Sequence, residues 1–119
     1  MILIPVSVAD VFDKITILDI KTQKIKEHKR EIKKELALLR KTVAHIDVPI
    51  EIVAELKTVN TKIWDLENSV RMHERMFDFG QDFIDDARQI FNLNNRRSEI
   101  KREINRFTSS DIVEYKKHV

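Results

Sequence analysis

Apolar residues recur at alternating steps of four and three through the first third of the chain. From Val11 the steps land on Val11, Ile15, Leu18, Thr22, Ile25, Lys29, Ile32, Leu36, Leu39, Val43 and Ile46, and nine of these eleven positions are aliphatic. No Pro or Gly interrupts the run. This heptad seam predicts one helix over 7–46. Ser7 is its expected N-cap, with Asp10 near the positive end of the helix dipole. A second seam, Ile52, Leu56, Val59, Ile63, Leu66, Val70, His73 and Phe77, predicts a helix over 49–78. Pro49 suits the start of that helix, and Val48 before it is held out of the α region. Gly80, the only glycine, is expected to close this helix or form the turn after it. Phe83, Ile84, Ala87, Ile90, Phe91, Leu93, Ile100, Ile104 and Phe107 predict a third helix over 81–107, its stripe broken by Asn94, Asn95, Arg96 and Arg97. A short helix over 110–117 follows the breaker cluster Thr108 to Asp111. Residues 1–6, apolar and carrying Pro5, form an extended arm.

The expected architecture is all-α and a single domain over 1–119. A long antiparallel helical hairpin plus a third helix makes a three-helix, coiled-coil-like bundle, with a short N-terminal arm and a short C-terminal helix. At 1.5 Å per residue the first helix would be roughly 58 Å long, against roughly 40 Å for the other two. It would overhang the hairpin at its N-terminal end. That end is over-apolar, because Phe12, Ile17 and Ile20 lie off the stripe beside Val8, Val11, Ile15 and Leu18. Apolar surface on an overhang predicts a partner, most simply a second copy about a two-fold axis. The arm and the last helix are the other means of covering it.

Composition narrows the function classes. Charged residues are 35% and hydrophobic residues 42%, with one Gly and two Pro, which suits long helices rather than sheets. The absence of Cys excludes disulfides and thiolate metal sites and fits a reducing, cytoplasmic location. No segment approaches the length of a membrane span, and the arm lacks the basic start of a signal peptide. A net charge of +2 is too mild to imply nucleic acid. Residues 20–41 carry nine Lys or Arg against three Glu but no aromatic residue for stacking on bases. The stretch Asp65–Asp86 has seven acids against two Arg and offers that basic face a partner, within one chain or across a dimer.

Conventional chemical motifs are absent. One glycine rules out a Gly-rich phosphate loop. His28, His45, His73 and His118 show no paired spacing, so no metal and no cofactor are expected. All-α pyrophosphohydrolases need acidic pairs three apart on facing helices; Asp82 with Asp85 has no counterpart. A chorismate mutase layout fits the length, but its motif does not align. The informative feature is polar residues within the seams. For helices antiparallel about residues 48 and 80, Lys29 faces Glu67 and Asn68, which face Asn92 to Asn95. Lys21, Thr22, Arg71, Glu74, Asp85, Asp86 and Arg88 lie one level away. Such a layer either fixes register as buried ion pairs or forms a pocket for an anionic or sugar-like ligand, for binding or catalysis. The first reading makes the protein a non-enzymatic helical module for dimerisation or protein interaction; the second makes it a small-molecule site.

Ile4-Pro5-Val6-Ser7-Val8 followed by Asp13-Lys14-Ile15-Thr16-Ile17-Leu18-Asp19-Ile20-Lys21 resembles the opening of a bacterial and phage family of short helical proteins, a domain of unknown function whose members tend to occur near surface-polysaccharide genes. Leu56 to Asn60, Trp64 to Glu67, Phe83-Ile84, Ala87-Arg88, Asn94 to Asn105 and Ser110 to Lys116 are also similar. The resemblance implies recurrent polar residues at Asp13, Lys14, Thr16, Lys21, Glu67, Arg71, Glu74, Arg88, Asn94, Arg97, Lys101 and Asn105. Asn95 stands where the family is expected to carry an acid, which argues against a metal there. Together with the seam pattern this defines a candidate ligand or partner site of Asp13, Lys14, Lys21, Glu67, Arg71, Glu74, Asn94, Arg97 and Lys101. The Val8–Lys21 segment is its expected centre.

Overall fold

The computed structural model describes residues 1–113. Among them are four helices and no strand: α1 Val8–Lys24, α2 Lys29–Thr42, α3 Ile50–Arg75 and α4 Gln81–Phe107. Residues 1–6 are non-helical and exposed. Of the expected short helix over 110–117, residues 110–113 are not helical and the rest lie outside the described residues.

The single long helix expected over 7–46 is instead two helices. Helix α1 ends with Ile25 in an extended conformation, and His28 takes the left-handed region at φ 60° before α2 begins. Helix α2 then folds back on α1 and, among the described residues, packs against no other helix. The seam explains why no breaker residue marks the bend. One stripe can serve two helices that face each other as well as one helix that faces a partner. Here Leu36 and Val43, with Ile32, Leu39 and Ile46, cover Ile15 and Leu18, with Val11 and Phe12. Left-handed backbone at His28 costs about 1–2 kcal/mol, whereas burying Leu36 and Val43 contributes about 1.5–3 kcal/mol each. Burial wins, and the propensity of an uninterrupted helical sequence is overridden.

The over-apolar third of α1 is therefore not an overhang. It holds the greatest density of buried residues in the chain: Ala9, Asp13, Ile15, Thr16, Leu18 and Ile20. One face meets α2. Another meets the α3–α4 hairpin, where Ala9 joins Leu56, Val59, Ile63, Ile100 and Ile104. Helix α1 runs antiparallel to α4, since Val8, Ala9, Asp10 and Asp13 bond in turn to Ser110, Asn105, Lys101 and Arg97. It runs parallel to α3, with Asp13 and Thr16 at Asn60 and Lys24 at Asp65. The register expected from antiparallel first and second helices, with Lys29 facing Glu67, is thereby replaced.

Helices α3 and α4 are antiparallel, with Glu55 at Arg96 and Ser69 at Asp86. Gly80 does not close α3. Its φ is −77°, and it sits at the N-cap of α4. The left-handed residue that ends α3 is Phe77, at φ 51°. Around it the Asp78 N–H donates to the His73 carbonyl at 2.9 Å and the Phe77 N–H to the Glu74 carbonyl at 3.3 Å. This is a Schellman closure with an aromatic residue where glycine is usual. Helix α4 ends likewise on Ser109, at φ 51°.

Burial is confined to one half of this hairpin. The last buried residue of α3 is Ile63 and the first of α4 is Ile100, so no residue from Trp64 to Glu99 is buried. Helix α1 stops at Lys24, beside Asp65, and beyond it, among the described residues, no other helix covers α3 and α4.

The bend makes a direct prediction. His28→Gly relieves the left-handed strain and should raise stability by about 0.5–1 kcal/mol in urea unfolding. In an unbroken helix the same change would lower it by about 1 kcal/mol.

Candidate functional site

The sequence-predicted site residues fall into two groups. Asp13, Arg97 and Lys101 come together where α1 crosses α4. Asp13 is only 6% exposed. Its Oδ1 accepts from Asn60 Nδ2 at 2.9 Å and Arg97 Nε at 3.0 Å, and its Oδ2 pairs with the second guanidinium nitrogen of Arg97. This fork is the geometry that Arg offers a carboxylate and Lys cannot. Asn60 Nδ2 also donates to Thr16 Oγ1 at 2.8 Å, and Thr16 Oγ1 donates to the Asp13 carbonyl at 2.7 Å. One turn up, Lys101 Nζ lies 2.9 Å from Asp10 Oδ1.

The same strip caps α1. Three of its first four N–H groups, orphaned in any helix, are met by three side chains. Val8 donates to Ser110 Oγ, Ala9 to Asn105 Oδ1 and Asp10 to Ser7 Oγ, at 3.1, 2.9 and 3.1 Å. Asp10 returns a bond to the Ser7 N–H, completing a capping box. Burial alone would raise the Asp10 carboxyl. The hydrogen bond and charge of Lys101, with the bonds to Ser7, outweigh it and hold the group below its ordinary value of 3.8. Among the described residues no buried side-chain nitrogen or oxygen lacks a partner.

The other predicted residues lie elsewhere. Lys14 is exposed and pairs with Glu35 of α2 at 2.7 Å. Lys21 and Asn94 are half-buried. Glu67, Arg71 and Glu74 are exposed on the uncovered part of α3, where Arg71 donates to Asn68 at 2.8 Å. The nine residues do not share one pocket. Asn60 belongs beside Asp13, and Ser110 beside Val8 at the start of α1, yet the site prediction omitted them. Asn60 carried a signal, since it is a lone amide between the core residues Val59 and Ile63.

A second ion-pair set flanks the first. Arg96 bonds Glu55 at 2.5 Å and Glu99 at 3.1 Å, with Glu103 at 3.7 Å. The hydrogen bonds to Glu55 and Glu99 raise its already high pKa, so Arg96 stays charged at any accessible pH.

The uncovered half of the hairpin has its own constellation. Ser69 Oγ donates to Asp86 Oδ2 at 2.5 Å, and His73 stands between Asp86 and Asp78, 3.4 Å from each. Phe83 packs edge-on against His73 and Phe79. Large apolar side chains are exposed among the charges of this half: Phe77 is 83% and Phe91 63% exposed, and Met72, Met76, Phe79 and Ile84 are also exposed. A groove of about 430 Å³ runs along Phe83, Ile84, Ala87, Arg88, Phe91 and Asn92. Among the described residues no group of three His, Cys, Asp or Glu is placed to hold a metal, and no helix is long and apolar enough to cross a membrane.

Three predictions test the polar strip. Asp13→Ala should cost about 3–5 kcal/mol, since it removes the buried carboxylate that Arg97 and Asn60 both bond. Asp13→Leu combined with Arg97→Met should cost clearly less than the sum of the single changes in a double-mutant cycle of unfolding. The depressed Asp10 carboxyl contributes stability that is present above the unfolded value of 3.8 and is lost as pH falls through the folded value. In Asp10→Asn the decline of stability with acid should therefore be shallower than in the natural protein, as read by urea midpoints through the acid range.

The Family of unknown function (DUF6165) is matched by its model over residues 2–119. No curated protein and no solved structure matches the chain. With the match running through the α1 motif, the polar strip on α4 and the uncovered hairpin alike, the chain belongs to the DUF6165 family.

Proposed function

We propose that this protein is a non-enzymatic helical interaction module that binds a partner helix along the uncovered half of the α3–α4 hairpin. One observation carries the reading: Phe77, at the hairpin tip, is 83% exposed and left-handed at φ 51°. Glycine would hold that backbone with less strain, and an aromatic ring there gains little from its own chain. Strain kept at an exposed position points to use. Two residues on, Phe79 packs against Phe83, which lines the groove toward Phe91. Such a surface suits the apolar face of an amphipathic helix.

Charge defines the partner. From Glu67 to Asp86 six acids oppose two Arg, so the same surface of a second copy is repelled. A helix with Lys or Arg beside its apolar stripe is attracted. The polar strip around Asp13 is better read as a lock between helices than as a ligand pocket, because its donors and acceptors are already matched.

The test uses synthetic amphipathic peptides with a Leu stripe flanked by Lys or by Glu, followed through the fluorescence of Trp64, the only tryptophan. The Lys-flanked peptide should bind and the Glu-flanked one should not. Phe77→Gly should raise stability by about 0.5–1 kcal/mol yet weaken binding several-fold, and Phe91→Ser should weaken it about tenfold or more. Equal binding of both peptides, or unchanged binding in both variants, overturns the proposal.

A further inference from the structure

The connection between α1 and α2 is built from residues that fit a helix. Lys24, Ile25, Lys26, Glu27, His28 and Lys29 contain no Pro, Gly or Asn. The four-three seam passes through them without a slip, from Leu18 and Thr22 to Ile25, Lys29 and Ile32. Two features of the bend are unfavourable. His28 is left-handed at φ 60°, and it gives α2 no side-chain cap. The bend therefore exists for the sake of the contacts it allows and not because the local sequence requires it.

Those contacts have a particular form. Helix α1 is seated against α2, α3 and α4, and it is joined to them only through residues 25–28. A second copy offers the same seat. We infer that the chain forms an exchanged dimer in which residues 25–28 straighten, α1 and α2 become one helix, and each α1 docks between α2 and the α3–α4 hairpin of the other copy. Every contact of α1 is then remade between chains. Asp13 meets Arg97 and Asn60 of the other copy, Asp10 meets Lys101, and Ile15 and Leu18 meet Leu36 and Val43. The partner supplies the acids of the polar strip, so the strip is complete only with it. What differs between the two forms is the hinge alone. The straight form regains the backbone hydrogen bonds interrupted at the bend and removes the strain at His28, at the cost of bringing two chains together. Its continuous helix from Val8 to Thr42 is about 50 Å long. An unbroken heptad seam over that length is the pattern such a helix needs, and the bent form does not.

The absence of cysteine allows a clean test. Thr16→Cys with Asn60→Cys places two thiols at side chains that are 2.8 Å apart. After oxidation at high micromolar concentration, a denaturing gel without reductant should show a covalent dimer held by two interchain bonds. Glu27→Pro should return the link to the single chain, because proline forbids the straight hinge. Lys26→Ala with Glu27→Ala and His28→Ala should raise the dimer fraction several-fold. Should the first pair disturb folding, Val8→Cys with Ser110→Cys asks the same question at the edge of the interface. A link confined to single chains in both pairs, with or without the alanine hinge, overturns the inference. A covalent dimer that Glu27→Pro leaves unchanged does so as well, since it would arise from contact between closed monomers.

Discussion

The fold depends on one buried carboxylate. Asp13 lies at the point where α1 meets both α3 and α4, and it is held by Asn60 from one and Arg97 from the other. A buried anion is costly unless its charge and lone pairs are met. That requirement fixes where α1 can lie along the hairpin. Sliding α1 by one turn would carry Asp13 away from the Arg97 fork and Asp10 away from Lys101. Apolar packing alone does not discriminate so sharply, because Leu56, Ile100 and Ile104 would accept other aliphatic neighbours. The polar strip sets the register, and the two apolar clusters on either side of α1 supply most of the burial.

Charge is divided in a way that follows from this placement. The basic segment begins at the C-terminal end of α1 and continues along the outer face of α2. The acidic segment begins at Asp65 and continues round the tip of the hairpin. They touch through Lys24 and Asp65, 3.3 Å apart. Beyond that contact the chain turns away, and each segment keeps its own sign toward solvent. Short-range pairs such as Lys14–Glu35 and Arg40–Asp19 bind α2 to α1; being largely exposed, they are worth little beside the apolar seam.

Much of the architecture was legible in the sequence, and the failures share a cause. Helix type and the ends near Ser7, Pro49 and Gln81 follow from periodicity and capping chemistry, which are local. The bend at Ile25–His28 was not legible, since a heptad seam reads the same whether its partner is another segment of that helix or another helix. From that one error came the wrong register, with Lys29 placed against Glu67, and the supposed overhang at Val8–Lys21, which is in fact the most enclosed segment. The glycine at position 80 suggested the end of α3, whereas the left-handed position fell on Phe77. Nothing in the local pattern reports a residue that bears strain. Of the candidate site, Asp13, Arg97 and Lys101 were found through polar breaks and resemblance. Glu67, Arg71 and Glu74 were grouped with them by the same resemblance and by a register with the first two helices antiparallel, and they lie instead on the exposed part of α3.

The capping of α1 reaches across almost the whole chain. Val8 is satisfied by Ser110, 102 residues later, and Ala9 by Asn105, 96 residues later. During synthesis, therefore, α1 emerges long before the side chains that seat it. Until α3 follows, its covering is α2, through contacts close in sequence that form quickly. The growing chain thus carries a two-helix unit whose polar face, with Asp13 and Asp10, waits for α4 to leave the ribosome. Where several ribosomes follow one message, that waiting face is offered to every neighbouring chain that has already completed its own α4.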